Sequence, residues 1–245
     1  MGIRKRALVI VPAFNEEGSL EKVVRGVNVH LPQAHVLVVN DGSTDRTSEK
    51  ARASGAAVLD LPFNLGIGGA MQAGYRYAYE KAYDIAIQVD ADGQHDPKEI
   101  QRLLDALEVQ MIDVAIGSRF IGSSRYKGSF MRRVGIAIFS GVISTIVGQK
   151  ITDPTSGFRA SNRRAIQLFA SDYPQDYPEP EVVILLHQCH LKMGEVPVGM
   201  SERYFGESSI TKIRSVYYML KVLLAIFVDC FKKPPLLEQE KSNVN

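Results

Sequence analysis

Short apolar runs alternate with amphipathic stretches through the first half of the chain, and this order constrains the fold more than any other feature. The apolar runs cover residues 7–11, 35–40, 57–61, 85–89 and 114–118, and each has the length of a strand. Amphipathic stretches lie between them at residues 19–30, 45–54, 67–81 and 97–109. Such alternation predicts an α/β fold in which helices cover both faces of a mostly parallel sheet.

The second half of the chain carries fewer strand patterns and more helical ones. Helices are predicted at residues 131–147, 163–170 and 182–193, with a turn-rich loop at 153–159 and a short strand at 195–198. At 245 residues the chain is long enough for one large domain. We expect that domain at 1–209, an amphipathic helix at 210–233 and a mobile polar tail at 234–245.

Composition and charge argue against several classes of protein. A formal net charge of +2 gives no support to a nucleic-acid partner, because contacts with phosphate backbones need a strong excess of basic residues. Two cysteines without framework spacing fit a reduced, cytoplasmic compartment. The first apolar run is too short for a signal peptide, and no apolar segment reaches the roughly 18 to 20 residues of a spanning helix.

Two carboxylates follow the fourth apolar run, two positions apart. Side chains at that spacing in an extended chain point the same way, so Asp90 and Asp92 are expected to face one point in space. Carboxylates held that close repel one another unless a cation lies between them. Mg²⁺ is usually held by one or two carboxylates together with substrate phosphates, so a metal–diphosphate site is one interpretation. A polar turn is the other, because Asp and Gly are common in turns.

Polar clusters also follow the first three apolar runs, at the strand ends where ligands bind in open parallel sheets. They occupy residues 12–17, 40–45 and 63–70. The glycines of the third cluster bring backbone N–H groups to a phosphate, or they allow a helix to pack tightly on the sheet. Their spacing departs from the dinucleotide fingerprint, so a nicotinamide cofactor is rejected. Asp41 accepts from a base or ribose hydroxyl in one interpretation and belongs to an Asp-Gly turn in the other.

The order of these segments resembles that of a known family. Residues 11–17, 38–45, 64–70, 90–95 and 117–119 together resemble the family 2 glycosyltransferases with a GT-A fold. The similarity is closest to the branch of dolichol- and polyprenyl-phosphate sugar transferases, and it covers about residues 7–209. It implies a Rossmann-like, mixed but mostly parallel sheet flanked by helices, which the C-terminal amphipathic helix follows here.

The resemblance implies a donor site for a UDP- or GDP-sugar. Its nucleotide-sugar pocket would be lined by Pro12, Ala13, Asn15, Glu16, Asp41, Gly66, Gly68, Asp90, Ala91, Asp92, Gln94 and Arg203. Asp41 would contact the uracil or guanine base. Asp90 and Asp92 would bind Mg²⁺ or Mn²⁺ on the donor diphosphate, with Gln94 as a further contact to the metal or the sugar.

The same resemblance implies an acceptor side. Arg119 would lie near the acceptor phosphate, and Asp153 of the motif at 153–159 is a candidate base. A polyprenyl phosphate needs little deprotonation at neutral pH, so Asp153 either orients the acceptor or serves as a turn residue. Catalytic roles would fall to Asp92, Asp153 and Arg119, and acceptor contacts to Arg119, Arg132, Arg133 and Ser156. A solvated or lipid-facing basic surface is the alternative for the arginine pair.

Three further features of the C-terminal half have competing interpretations. Ser209 occupies the position where relatives carry a lysine, which puts a diphosphate contact there in doubt. Glu179 and Glu181 either touch the sugar or simply begin a helix. His187 and His190 share a helical face, but no second ligand pair lies at finger-like spacing, so ordinary packing is favoured over zinc.

The apolar segment at 210–231 is interrupted by four charged residues, Lys212, Arg214, Lys221 and Asp229. This pattern suits an interfacial helix at a membrane surface. Packing on the domain or on a second copy of the chain, which would give a homo-oligomer, is the alternative. A lipid acceptor would require surface docking or a membrane-protein partner. We therefore expect a cytoplasmic protein that is peripheral at the inner face of the cell membrane.

The leading hypothesis is a metal-dependent, inverting glycosyltransferase that moves a sugar from a UDP- or GDP-sugar to a polyprenyl phosphate. The second keeps the donor chemistry but uses a saccharide hydroxyl, as in cell-surface polysaccharide synthesis, and would need a true general base. The third is a non-catalytic nucleotide-sugar-binding subunit of a membrane complex.

Overall fold

The computed structural model of the chain describes residues 5–122, 130–200 and 212–232, with the backbone alone at 130–132, 212–216 and 218. The strands within these residues are β1 Ala7–Ala13, β2 His35–Asn40, β3 Ala57–Asp60, β4 Ile85–Gln88, β5 Val114–Ser118, β6 Arg159–Asn162 and β7 Met193–Pro197. The helices are α1 Leu20–His30, α2 Thr47–Ala53, α3 Gly66–Glu80, α4 Ile100–Val109, α5 Phe130–Val147, α6 Arg163–Ser171, α7 Pro178–Gln188 and α8 Lys212–Asp229.

The strands form one sheet in the order β3-β2-β1-β4-β6-β5-β7. β6 is antiparallel to its neighbours β4 and β5, whereas the other pairs are parallel. The six parallel strands therefore all end at one edge of the sheet, and β6 begins there. This confirms the predicted mixed, mostly parallel sheet.

The sheet carries a topological switch point between β1 and β4. From β1 the chain runs outward through β2 to β3, and then returns to place β4 on the other side of β1. In open α/β sheets, loops at such a point diverge and leave a crevice for a ligand beyond the strand ends. The loops after β1, β2, β3 and β4 all border this crevice, and the loop before β6 joins them.

Two apolar cores lie on opposite faces of the sheet. One contains α1 and α4, and the other contains α3, α5, α6, α7 and α8. α7 is buried along nearly its whole length because α5 and α8 both pack on it. Residues of β1 alternate between the two cores, with Leu8 and Ile10 on one side and Val9 and Val11 on the other.

Three predicted elements differ from the structure: the loop at 153–159, the helix at 182–193 and the strand at 195–198. The turn-rich loop ends earlier than expected, because Arg159–Asn162 forms β6, a strand whose sequence Arg-Ala-Ser-Asn has no apolar pattern. α7 spans Pro178–Gln188 rather than 182–193, and it begins with proline in the first turn, where the missing N–H costs no helical hydrogen bond. β7 then spans Met193–Pro197 rather than 195–198. α8 lies within the predicted segment 210–233, and the predicted tail 234–245 lies outside the described residues.

Among the described helices, none has both the length and the apolar character that spanning a bilayer requires.

Candidate active site

The loops after β1 and β2 are joined by side-chain hydrogen bonds. Asn15 has a φ of 56°, a left-handed conformation that asparagine tolerates. Its N–H donates to Ser43 Oγ at 2.9 Å, and its Oδ1 accepts from the N–H of Thr44 at 2.9 Å. The N–H of Glu16 donates to Thr47 Oγ1 at 2.8 Å. These bonds hold the first two predicted donor loops as one wall of the crevice.

Asp41 joins the end of β2 to the glycine loop. Its Oδ1 accepts from the N–H of Leu65 at 2.7 Å, and its Oδ2 accepts from the N–H of Gly66 at 2.9 Å. Gly66 has a φ of 78°, which favours glycine. Pro12 and Ala13 lie buried at the end of β1, where the carbonyl of Ala13 accepts from the N–H of Asp41 at 2.9 Å. The carboxylate of Asp41 therefore shapes the loop that borders the crevice.

Gly68 serves packing. A Cβ at this position would lie 2.4 Å from the carbonyl oxygen of Pro174 and 2.5 Å from Cα of Gln175. Backbone atoms cannot yield at those distances, so only glycine lets the first turn of α3 approach the loop before α7. Of the two interpretations of the glycine cluster, tight packing accounts for Gly68, whereas Gly66 has open space around its Cβ position.

Asp90 and Asp92 lie directly beyond β4, at the switch point. Oδ1 of Asp90 accepts from Gln88 Nε2 at 3.2 Å. Oδ1 of Asp92 accepts from the N–H of Gln94 at 3.0 Å. The N–H of Asp90 donates to His95 Nδ1 at 3.0 Å, and His95 Nε2 lies 3.5 Å from Asp90 Oδ2. His95 Nδ1 is thus occupied as an acceptor, and the ring supports Asp90 instead of competing for a metal.

The loop before β6 closes against the end of β4. The His95 ring stacks on Phe158 with a centroid separation of 4.8 Å. A Cβ at Gly157 would lie 2.7 Å from Nε2 of Gln88 and 3.4 Å from both carboxylate oxygens of Asp90. Glycine at 157 therefore leaves room for the amide that orients Asp90, a role that the sequence pattern alone did not predict.

Arg119 and Asp153 form a buried bidentate ion pair. Arg119 Nε donates to Asp153 Oδ2 at 2.6 Å, and Nη2 donates to Oδ1 at 2.6 Å. The N–H of Arg119 also donates to Asp153 Oδ2, and Thr155 Oγ1 donates to Oδ1. Asp153 is fully buried, so both of its oxygens are engaged inside the protein.

Glu195 of β7 accepts hydrogen bonds from the backbone of the loop that contains Asp153. Its Oε1 accepts from the N–H of Asp153 at 2.7 Å, and its Oε2 accepts from the N–H of Thr152 at 2.7 Å. Burial raises the pKa of the Glu195 carboxyl, and these hydrogen bonds oppose that effect. Ser118 Oγ lies 2.6 Å from Thr152 Oγ1, which links the end of β5 to the loop.

Two of the predicted acceptor-binding residues, Arg119 and Ser156, are buried. Ser156 is buried, and its Oγ accepts from the N–H of Phe158 at 3.3 Å, as in a turn. Ser156, Arg119 and Asp153 are thus buried and hydrogen-bonded inside the protein, and their acceptor and catalytic roles stay predictions. Arg133 is exposed on the first turn of α5.

The first turn of α7 brings another acid to the site. Burial raises the pKa of the Glu179 carboxyl, with nearby Asp90 adding to the increase and Arg159 opposing it. The buried guanidinium of Arg159 donates to the backbone carbonyls of Ser156 and Glu179. Arg159 thus ties the start of β6 to the start of α7. Proline at 178 marks this helix start in the sequence, whereas its position near Asp90 follows only from the fold.

The donor set at the end of β4 fits a hard divalent cation. Asp90 and Asp92 offer carboxylate oxygens, Gln94 offers an amide oxygen, and Ala91 between them is buried. Within the described residues no group of three or more His, Cys, Asp or Glu side chains could hold a metal by itself. Mg²⁺ and Mn²⁺ sites completed by substrate phosphates need only one or two carboxylates, so the residues fit that kind of site. The side chains of Arg132, Arg203 and Ser209 lie outside the described residues.

Comparison with known families decides the class of protein. The family model described as "Glycosyl transferase family 2" matches residues 8–169. The chain belongs to glycosyl transferase family 2. This membership confirms the predicted family and the predicted glycosyltransferase class.

Relatives of this family 2 glycosyltransferase carry informative names. The chain is 32% identical over 228 residues to a polyprenol monophosphomannose synthase of Mycolicibacterium smegmatis, covering 89% of this chain and 86% of that protein. It is 33% identical over 215 residues to an undecaprenyl-phosphate mannosyltransferase of Micrococcus luteus, covering 84% and 88%.

A solved structure shares the fold of the family 2 glycosyltransferase. Glucosyl-3-phosphoglycerate synthase from Mycobacterium tuberculosis, solved with Mn²⁺, UDP-glucose and phosphoglyceric acid, gives a TM-score of 0.73 at 19% identity. The match covers 95% of this chain and 82% of that one. The expected GT-A fold is thereby confirmed.

Proposed function

We propose that this family 2 glycosyltransferase moves a sugar from a UDP- or GDP-sugar to a polyprenyl phosphate, with inversion, and that it depends on Mg²⁺ or Mn²⁺. The observation that carries the proposal is the pair Asp90 and Asp92 at the switch point, at the same edge of the sheet as the loop that Asp41 shapes. The names of the Mycolicibacterium and Micrococcus relatives support the acceptor. The mycobacterial synthase solved with Mn²⁺ and UDP-glucose supports the metal and the donor class.

Asp90 and Asp92 would hold the metal, with Gln94 as the third protein ligand. The cation would offset the negative charge that develops on the leaving nucleoside diphosphate. Gln88 and His95 keep the Asp90 carboxylate in place through contacts at 3.2 and 3.5 Å. Such outer contacts orient metal ligands and restrict their motion.

The walls of the crevice would bind the nucleoside. The loop of Asn15 and Glu16 and the loop of Asp41 are joined by hydrogen bonds, so they present a prearranged surface. Asp41 uses both oxygens on backbone N–H groups, and each oxygen retains a further lone pair for a donor on a base or ribose. Arg203 stays a prediction for the diphosphate.

The buried state of Asp153 favours a phosphate acceptor over a hydroxyl. A hydroxyl acceptor needs a general base, and Asp153 is engaged by Arg119. A phosphate monoester is mostly dianionic at neutral pH, because its second pKa is about 6. Its oxygen can attack the anomeric carbon without losing a proton to the protein. A saccharide acceptor would instead require Glu179, whose raised pKa suits a base.

A polyprenyl phosphate acceptor implies a location of the protein at the membrane surface. A polyprenyl phosphate is anchored in a bilayer by its hydrocarbon chain, so the enzyme would act as a peripheral protein at the cytoplasmic face. Arg132 and Arg133 at the start of α5 remain candidates for the acceptor phosphate. An arginine near a phosphate contributes bidentate hydrogen bonds as well as charge.

Two measurements test the proposal. Thermal-shift screening of UDP- and GDP-sugars should show stabilisation by one of them that increases with Mn²⁺, because ligands that bind the native state shift unfolding by mass action. Incubation with the stabilising labelled donor should then transfer the sugar to undecaprenyl phosphate and not to an oligosaccharide. Transfer to the oligosaccharide, lost in Glu179→Gln, would favour the hydroxyl acceptor. Donor binding without transfer to either would favour a non-catalytic subunit.

A further inference from the structure

The outer faces of α5 and α8 form an exposed apolar surface beside the site. α8 and the turn that follows it carry five large apolar side chains outward in steps of three and four residues. They are Tyr217, Leu220, Leu224, Phe227 and Phe231, with 60%, 62%, 62%, 62% and 75% of their surfaces exposed. Val222 and Ile226 point inward and are buried, so the outward stripe is additional to the face that packs on the domain.

α5 extends this surface. A Cβ at Gly135 would lie 3.0 Å from Met219 Sδ, so the two helices pack closely along their first halves. Ile138 and Val142 are exposed on α5, one turn apart. Both helices lie outside the buried α7. Contiguous apolar surface of this kind on a soluble domain marks an interaction site.

Basic residues outnumber acids on the two helices that carry this surface. Between residues 114 and 152 the sequence has no Asp or Glu, and Arg133 is exposed there. Between 210 and 233 the one acid is Asp229, which is buried and bound to Lys232 at 2.6 Å. Lys221 is exposed beside the stripe and lies over the Tyr217 ring at 4.7 Å.

This charge pattern favours an anionic lipid surface over a second copy of the chain as the partner of the apolar surface. In a helix pair, acids and bases at the positions flanking an apolar seam set the register through opposite charges. The flanking positions of this stripe hold Lys221, Leu223, Val228 and Cys230, so a second copy would bring no acid to Lys221. An anionic lipid surface would attract each basic residue and accept the apolar side chains below its headgroups.

We propose that the outer faces of α5 and α8 dock on an anionic lipid bilayer. The proposal rests on the proposed function, since an acceptor held in the bilayer requires the enzyme to reach the bilayer surface. α5 contacts the segment that leads to Asp153, because Ser140 Oγ and Ser144 Oγ donate to the carbonyl of Ile151 at 2.5 and 3.2 Å. Docking through α5 and α8 would therefore bring the acceptor side of the crevice toward the headgroups.

Vesicle sedimentation of the full chain tests the surface. The protein should pellet with vesicles of mixed phosphatidylcholine and phosphatidylglycerol, and less with phosphatidylcholine alone. Leu220→Gln with Leu224→Gln should weaken binding by about tenfold or more, because two apolar anchors are lost. Lys221→Gln should weaken it about fivefold, the effect of one basic residue near such a surface. The matched control is Val29→Gln with Val109→Gln, two exposed apolar residues on the opposite side of the sheet.

Two results would overturn the proposal. One is wild-type protein that stays in the supernatant with both kinds of vesicle. The other is a dimer in sedimentation velocity that the Leu220 and Leu224 substitutions dissociate, which would assign the surface to a second copy. A water-soluble, short-chain prenyl phosphate separates docking from chemistry. The stripe variants should transfer sugar to it at the wild-type rate and fail only with vesicle-embedded acceptor. If the wild type binds vesicles but transfers to neither acceptor, the proposed function fails and the docking surface stands.

Discussion

The end of β4 and the loop before β6 are neighbours, yet their carboxylates have opposite surroundings. Asp153 is fully buried, and both of its oxygens accept from the guanidinium of Arg119. Asp90 is partly exposed, and among the described side chains its oxygens meet the amide of Gln88 and the ring of His95. One acid is balanced by a fixed cation, and the other is oriented without one.

We infer from this difference that Asp153 stabilises the fold and that Asp90 can bind a metal. A carboxylate that shares two hydrogen bonds with a buried arginine has little capacity left for a substrate, and its removal damages the fold. A carboxylate held by weaker partners at the open end of a strand can still bind an external cation. The residues that contact an acidic side chain therefore indicate its role better than the position of that acid in a sequence motif does.

Asp153→Asn should have the largest effect on stability. The change leaves the buried Arg119 without a counter-charge, so we expect the free energy of unfolding to fall by about 3–5 kcal/mol. Urea denaturation measures this directly, with Asp105→Asn, an exposed acid on α4, as the control. A variant of wild-type stability that has lost transfer would instead place Asp153 in the chemistry.

Asp90→Asn should show the opposite behaviour. Loss of a metal ligand is expected to lower sugar transfer by about 10²–10³-fold, the size found when one electrostatic contact to a transition state is removed. Its unfolding free energy should stay within about 0.5 kcal/mol of wild type, because no buried ion pair is broken. Transfer at the wild-type rate with a chelator present would contradict the metal site.

The side of the site that was predicted to bind the donor could be located because its signals are local. Each predicted donor loop follows an apolar run of strand length, and parallel strands end at one edge of a sheet. The spacing of Asp90 and Asp92 predicted that an extended chain points both carboxylates the same way. The structure has both residues directly beyond β4, at the switch point, but residues 91–92 form a turn instead of an extended chain. Gly66 and Gly68 look alike in sequence, and only the nearby backbone of Pro174 and Gln175 separates their roles.

The acceptor half was less predictable because its contacts are distant in sequence. Arg119 and Asp153 are 34 residues apart, and each resembles a substrate-binding residue until their pairing is seen. β6 has four residues and no apolar pattern, so its strand conformation depends on its neighbours β4 and β5. Without β6, the position of Gly157 beside Gln88 could not be inferred.

Gly157→Ala tests whether Asp90 needs its amide partner. The added Cβ would lie 2.7 Å from Gln88 Nε2, so the amide must move away from Asp90. Outer contacts of this kind change metal affinity by about 10–100-fold, and we expect Mn²⁺ activation to require about tenfold more metal. Gly141→Ala is the matched control, because its Cβ position has no neighbour within 4 Å. An unchanged Mn²⁺ requirement would remove Gln88 and Gly157 from the site.

Glu181 is a third kind of acid, because its carboxyl is neutralised by binding a proton and not by a neighbouring cation. It lies on α7 facing α8, and burial together with the nearby charge of Asp229 raises its pKa from 4.5 to about 7, with Lys232 opposing the shift. The folded state therefore binds this proton more tightly than the unfolded state does. The resulting stability is fully present below pH 4.5 and is lost as the pH rises to about 7.

Glu181→Gln should remove that dependence with the smallest effect of the series. Glutamine is neutral and nearly isosteric, so above pH 7 we expect the variant to be about 1 kcal/mol more stable than wild type. Below pH 4.5 the two should be alike, because wild-type Glu181 is then protonated. Urea denaturation across this range measures the difference, with Glu80→Gln at the exposed end of α3 as control. A variant less stable than wild type above pH 7 would mean that the ionised carboxylate is paired with Lys232, as Asp153 is paired with Arg119.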